Sequence, residues 1–91
     1  MAIEFAYDAE QNRLAIRGKL TILHATEARS HLLERSGASL DLAEIDEIDG
    51  AGLQLLVAAL RDAGMRLVAV SEAVADIVAL TGRTELTEAG S

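Results

Sequence analysis

The feature of this sequence that most restricts its fold is a change in the spacing of apolar residues along the chain. Residues 3–7 and 13–17 carry an apolar side chain at every second position, which predicts two strands joined as a hairpin by the polar turn 8–12. Beyond Gly18, segments with apolar residues at helical spacing alternate with short apolar runs. The predicted order is β-β-α-β-α-β-α, an α/β sandwich in which helices pack against a mixed sheet.

The first predicted helix begins after Thr21, whose hydroxyl is interpreted as an N-cap that accepts a hydrogen bond from a free backbone N–H group. The helix ends before Gly37, which stands where a left-handed cap residue belongs. Its buried side is predicted to consist of Ala25, Ala28 and Leu32, with Ile22 and Leu33 flanking them.

The remaining elements continue this alternation of strands and helices. Residues 39–42 form a short apolar run between two helices, which predicts a buried, parallel strand, and residues 66–70 predict the fourth strand. Asp49 is interpreted as the cap of a largely buried second helix, which Gly64 ends. Ser71 is the corresponding cap candidate for the third helix.

Length and composition bound the number of domains and exclude several classes of protein. A chain of 91 residues that is 51% apolar is expected to form a single domain over residues 1–91, with residues 83–91 as a weakly ordered tail or a short edge strand. The net charge of −7 and the scarcity of aromatic residues argue against nucleic acid and anionic membrane surfaces as partners. The absence of cysteine excludes disulfides and thiol catalysis. With no apolar run long enough for a membrane span and no visible signal peptide, a cytoplasmic protein is expected.

The most unusual stretch is residues 41–49, where five acidic residues occur without a basic one. An EF-hand is excluded, because aligning its glycine with Gly50 places Ile45 and Leu56 at the first and last ligand positions. We interpret the stretch as a solvated acidic loop and expect no bound metal.

Neither a phosphate site nor a catalytic centre is predicted. Gly50-Ala51-Gly52 offers free N–H groups at a helix start, but the neighbouring carboxylates repel an anion and no lysine follows. The two histidines, His24 and His31, have no nucleophile placed beside them, and His31 is interpreted as a solvated side chain. We therefore expect a protein that is not an enzyme and needs no cofactor.

Three segments together match the pattern of a known family. Leu40-Asp41-Leu42 precedes the acidic stretch, which leads into Asp49-Gly50-Ala51-Gly52-Leu53. Gly18-Lys19-Leu20-Thr21 and the later run from Leu67 to Ser71 flank this central part. The combination, over about residues 3–86, resembles the STAS domain, the fold of anti-sigma-factor antagonists and of the cytoplasmic end of sulfate transporters.

Because few residues follow Gly82, the last helix of many family members is expected to be short or absent, leaving a sheet face or edge for a partner or a second copy.

The resemblance implies a non-catalytic module that binds other proteins. In the regulatory antagonists a serine or threonine at the start of the second helix is phosphorylated by a partner kinase. The family's Asp-Ser-Ser-Gly aligns with Asp49-Gly50-Ala51-Gly52, so Ala51 occupies the phosphoacceptor position and is not phosphorylatable. By this resemblance the partner-binding residues are Asp49, Gly50, Ala51, Gly52, Gln54 and Thr21.

The sequence leaves two classes of protein partner open. The first is an anti-sigma factor, a GHKL-type kinase or another complex of bacterial signal transduction, including chemotaxis-type pathways. The second is the ATPase of a lipid-transporting ABC system, since accessory STAS subunits of that kind often carry Asp-Thr-[Ala/Gly]-Gly at the same motif. A nucleotide sensor is a third hypothesis, which the acidic stretch disfavours. The oligomeric state is left open.

Overall fold

The seven predicted strands and helices occur in the predicted order, and the structure adds a 3₁₀ helix and one further strand to them. The computed structural model describes residues 3–81. Its elements are β1 (Ile3–Asp8), β2 (Arg13–Leu20), a 3₁₀ helix (Ile22–His24), α1 (Ala25–Glu34), β3 (Ser39–Leu42), β4 (Ile45–Ile48), α2 (Gly50–Asp62), β5 (Arg66–Val70) and α3 (Glu72–Thr81). This arrangement confirms the predicted α/β fold. The expected tail, residues 83–91, lies outside the described residues.

The sheet is mixed, as predicted, and β2 is its central strand. β1 pairs with β2 as an antiparallel hairpin, while β3 and β4 both pair parallel to β2, and β5 pairs parallel to β3. The first half of β2 contacts β3 and the second half contacts β4, where Leu20 pairs with Ile48. The carboxyl ends of β2 and β4 therefore lie side by side. The segments that leave these two strands, the 3₁₀ helix and α2, consequently start next to each other.

The apolar residues of the strands form the core together with one side of each helix. From the sheet, Leu14, Ile16, Leu20, Leu40 and Leu42 are at most 1% exposed. The helices contribute Ala28 and Leu32 from α1, Leu53, Leu56 and Val57 from α2, and Val74 and Val78 from α3. Because burying one such leucine or valine contributes about 1.5–3 kcal/mol, the helices are held mainly by this face.

Strand β4 corrects the interpretation of the acidic stretch as a loop. Ile45 is 2% exposed, and the strand that it begins pairs with residues Gly18 to Leu20 of β2. β2 extends beyond the predicted residues 13–17: it passes through Gly18, which has φ of 98°, and continues to Leu20. Two adjacent exposed acids, Asp46 and Glu47, separate the isoleucines of β4, so the short strand lacks the alternation that marks strands in a sequence.

The start of the first helix also differs from the prediction. Thr21 precedes the 3₁₀ helix and its side chain makes no capping hydrogen bond, while α1 begins only at Ala25. As a result Ile22, predicted to flank the buried stripe, is 67% exposed, and the neighbouring Leu23 is 85% exposed. The prediction for Leu33, the other residue expected to flank the stripe, is also wrong, since its side chain is 56% exposed. The predicted end of the helix is confirmed, because Gly37 follows it with φ of 85°.

Helix α1 is attached to the hairpin by two ring contacts. His31 stacks on Phe5 with 3.8 Å between the ring centroids, and the guanidinium of Arg35 lies 3.8 Å from the ring centroid of Tyr7. His31 is half-buried by this contact, so the interpretation of it as a solvated side chain was wrong. Both pairs hold α1 over the edge strand β1.

Candidate partner-binding site

The carboxylate of Asp49 connects the beginnings of two helical segments. Its Oδ1 accepts a hydrogen bond of 3.0 Å from the N–H group of Gly52, which confirms Asp49 as the cap of α2. Its Oδ2 accepts a second bond of 3.0 Å from the N–H group of Ile22, the first residue of the 3₁₀ helix. Asp49 thereby supplies the cap that Thr21 does not, and it holds the two segments in one fixed arrangement.

These hydrogen bonds also determine the charge of Asp49. The N–H groups of Ile22 and Gly52 hold the pKa of the Asp49 carboxyl below its ordinary value of 3.8, and partial burial opposes them more weakly. The carboxylate is therefore ionised near neutral pH. A negative charge at this position also favours the N-terminal end of α2, where the helix dipole is positive.

Gly52 allows α2 to approach the end of β2 closely. A Cβ atom at position 52 would overlap the carbonyl oxygen of Leu20 and would lie 3.0 Å from side-chain carbons of Leu20 and Ile48. Gly50 is different, since nothing lies within 4 Å of a Cβ atom added there. The two glycines of the motif therefore have different roles: Gly52 is required by packing, whereas Gly50 faces solvent.

The structure brings five of the six predicted partner-binding residues to one helix start but does not expose all of them. Gly50 and Gln54 are exposed, and Ala51 and Asp49 are partly exposed. Gly52 is buried, and Thr21, which precedes the 3₁₀ helix, is 8% exposed, so neither offers a side chain to a partner.

Two exposed residues at this site were not predicted from the sequence. Ile22 and Leu23 lie on the 3₁₀ helix, which contacts α2, and their apolar side chains face solvent. The sequence signal was present, because two large apolar residues precede the first residue of the buried helical stripe. We define the docking surface as Ile22, Leu23, Gly50, Ala51 and Gln54.

The sequence as a whole matches a family model described as "Mlab, STAS domain" over residues 3–88. The chain belongs to the STAS domain family. No curated protein matches the chain.

Two solved structures share the fold of this STAS domain. One is the crystal structure of an anti-sigma factor antagonist from Mycobacterium paratuberculosis, with a TM-score of 0.77 and 17% identity over 92% of this chain and 81% of that one. The other is the anti-sigma factor antagonist SpoIIAA in its unphosphorylated form, with a TM-score of 0.65 and 15% identity over 89% of this chain and 81% of that one. At these identities the likeness concerns the fold.

Three acidic residues of the stretch 41–49 make separate contacts instead of converging on one point. Asp41 accepts a hydrogen bond from the N–H group of Ala43, Glu47 forms a salt bridge of 3.2 Å with Lys19, and Asp49 holds the helix starts. Within residues 3–81 no three metal-ligating side chains come together. Over the same range no helix has the length and apolar character that a membrane crossing needs.

Proposed function

We propose that this STAS domain is a non-catalytic docking module of the anti-sigma-factor antagonist type, acting in bacterial cytoplasmic signal transduction. Its partner is an anti-sigma factor, a GHKL-type kinase or another protein of such a complex, including one of a chemotaxis-type pathway. Binding takes place at the docking surface. Phosphorylation of the helix start does not regulate it, because neither Gly50 nor Ala51 carries a hydroxyl group.

One observation carries this proposal: the two hydrogen bonds of the Asp49 carboxylate, which hold exposed apolar residues beside an exposed helix start. A preorganised surface loses little conformational freedom when a partner binds. Ile22 and Leu23 supply apolar area, and Gly50 leaves the backbone of the helix start accessible. Exposed apolar residues beside a rigid polar group are typical of binding surfaces.

Replacing Ala51 by glutamate is expected to weaken partner binding at least tenfold while leaving the fold intact. The new carboxylate would have to be buried unpaired in the interface, which costs ~1.4 kcal/mol or more. Folding is unaffected, because an acid in the first turn of a helix is favoured by ~0.3–1 kcal/mol. The partner is first captured from a lysate of the source organism and identified by mass spectrometry, and its affinity for the purified variants is then measured by calorimetry.

The matched control for this experiment is Ala75→Glu, which places the same charge on an exposed alanine in the first turn of α3. It is expected to bind the partner as the wild type does. Equal affinity of the Ala51→Glu and Ala75→Glu variants would overturn the assignment of the docking surface.

Replacing Leu23 by serine is expected to weaken the same partner about tenfold, since a largely buried leucine side chain contributes ~1.5 kcal/mol or more to an interface. Stability should change by less than about 0.5 kcal/mol, because Leu23 is 85% exposed. Leu80→Ser is the control, since Leu80 is equally exposed, at 86%, on α3. A Leu23→Ser variant that binds as tightly as Leu80→Ser would remove the 3₁₀ helix from the docking surface.

The second candidate function is that of an accessory subunit that binds the ATPase of a lipid-transporting ABC system. The observation that favours it is the motif itself, Asp49-Gly50-Ala51-Gly52, which ends in the Ala-Gly found in accessory subunits of this kind and offers no hydroxyl for a kinase. The captured ATPase decides between the two. A GHKL-type kinase supports the signalling function, whereas an ABC ATPase assigns the chain to the transporter class.

A further inference from the structure

Helices α1 and α2 enclose a groove that shares no residue with the docking surface. The groove has a volume of about 160 Å³, and most of the residues that line it are apolar. Leu33 forms part of its wall on α1 and is 56% exposed, while Leu55 and Ala58 line it from α2. An exposed leucine beside an apolar groove leaves apolar surface in water, which a packed neighbour would cover.

The two helices that form the groove run in the same direction. The 3₁₀ helix that leads into α1 is joined to the start of α2 by the hydrogen bond from Ile22 to Asp49. The segments that follow the two helices are joined by a bond of 2.7 Å from the N–H group of Gly37 to the carbonyl of Ala63. Arg29 is the first groove residue of α1, and Asp62 is the last residue of α2. The groove therefore has a cation near one end and an anion near the other.

Neither of these two charged side chains is neutralised within the described part of the chain. Arg29 and Asp62 are both exposed, and the salt bridge found among residues 3–81 joins Lys19 to Glu47 instead. One end of the groove therefore carries a positive charge and the other a negative charge. Such a groove is complementary in charge to a second copy of itself that is rotated by 180° about an axis through its middle.

We propose that this groove is a homodimer interface, in which a second copy of the chain packs antiparallel across it. The two-fold axis crosses the middle of the groove, so that Arg29 of each copy faces Asp62 of the other. The apolar residues, Leu33 with Leu55 and Ala58, pack against their counterparts between the two ion pairs. Two-fold dimers with self-complementary interfaces are the commonest closed assemblies of soluble proteins.

Charge reversal at both ends of the groove tests the proposal directly. Arg29→Glu and Asp62→Arg each turn two attractions into repulsions, and each variant alone is expected to dimerise at least tenfold more weakly than the wild type. An equimolar mixture of the two variants is expected to dimerise again. In the mixed dimer the glutamate introduced into one variant faces the arginine introduced into the other, and the unchanged Asp62 of the first faces the unchanged Arg29 of the second. Sedimentation velocity measures the fraction of dimer in the wild type, in each variant and in the mixture.

The salt concentration and two control variants make the result specific. Each copy carries a net charge of −7, so the measurement is made at about 0.15 M salt, where repulsion is screened beyond ~8 Å. Arg17→Glu changes the net charge as Arg29→Glu does, but on the exposed side of β2, and should dimerise normally. Leu33→Asn should weaken the dimer without a charge change.

Two outcomes would overturn the proposal. The first is a wild-type chain that remains monomeric at several hundred micromolar, in which case the groove either receives another protein or stays empty. The second is a mixture of Arg29→Glu and Asp62→Arg that sediments no faster than either variant alone. Circular dichroism of each variant verifies that the fold is kept, which is expected because both side chains are exposed.

Discussion

Replacing Gly52 by alanine is expected to lower the free energy of unfolding by about 2–3 kcal/mol, or the melting temperature by roughly 10–20 °C. The added methyl group would overlap the carbonyl oxygen of Leu20, a backbone atom at the end of a central strand that has no alternative rotamer to adopt. The helix start must move away from β2, and the hydrogen bonds of Asp49 lengthen with it. Urea and thermal unfolding followed by circular dichroism measure the loss.

Gly50→Ala is the matched control, because it adds the same methyl group two residues earlier in the same motif. Nothing lies within 4 Å of the new Cβ atom. Alanine is favoured over glycine within a helix by up to about 1 kcal/mol, so this variant should be as stable as the wild type or slightly more stable. Equal destabilisation by the two substitutions would contradict the close approach of α2 to β2.

Replacing Asp49 by alanine is expected to lower the free energy of unfolding by about 2 kcal/mol, since each of the two lost capping bonds contributes ~1 kcal/mol. The substitution should lower the stability of the whole fold and should also loosen the backbone at the two helix starts. The amide hydrogens of Ile22 and Gly52 lose their acceptor and should exchange faster with solvent. Asp46→Ala removes an exposed carboxylate from neighbouring β4 and serves as the control, with an expected change below about 0.5 kcal/mol.

The same carboxylate makes stability depend on acid pH. The pKa of Asp49 is lower in the folded protein than its ordinary value of 3.8, so the unfolded chain binds its proton first as the pH falls. The stability that this carboxylate contributes is fully present above pH 3.8 and is lost as the pH falls through the lowered pKa.

The variant Asp49→Asn separates the contribution of the Asp49 charge to the pH dependence of stability from the contributions of the other acidic residues. Asparagine keeps one acceptor oxygen but no charge, so the variant is less stable than the wild type at pH 7. The difference between the two should narrow as the pH falls below 3.8. Urea unfolding at a series of pH values measures it, and a difference that stays constant down to about pH 2.5 would show that the Asp49 charge contributes nothing.

Much of the fold was predictable because the signals that specify it are local. The alternation of residues 3–7 and 13–17 predicted the hairpin, and the short apolar run at 39–42 predicted β3. Asp49 before a largely apolar segment predicted the start of α2, and its capping bond to Gly52 spans only three residues. Such features depend on the chemistry of neighbouring residues, which a sequence displays directly.

The candidate site was less predictable because its defining contacts join distant residues. The hydrogen bond from Ile22 to Asp49 spans 27 positions, and it exists only because β2 and β4 end side by side. The sequence suggested Thr21 as a cap, since a threonine before a helix often has that role. In the folded chain the Asp49 carboxylate already occupies that position, and Thr21 is nearly buried.

The sequence by itself determined the order of the seven predicted elements, most of the residues that they bury and the absence of a hydroxyl from the motif, because periodicity and residue identity are local properties. Only the tertiary structure decided that residues 45–48 form a strand, that Ile22 and Leu23 face solvent, and that Gly52 must lack a side chain. The physical reason is common to all three. Each depends on how the carboxyl ends of β2 and β4 lie relative to each other and to the segments that follow them, and that is set when the strands assemble.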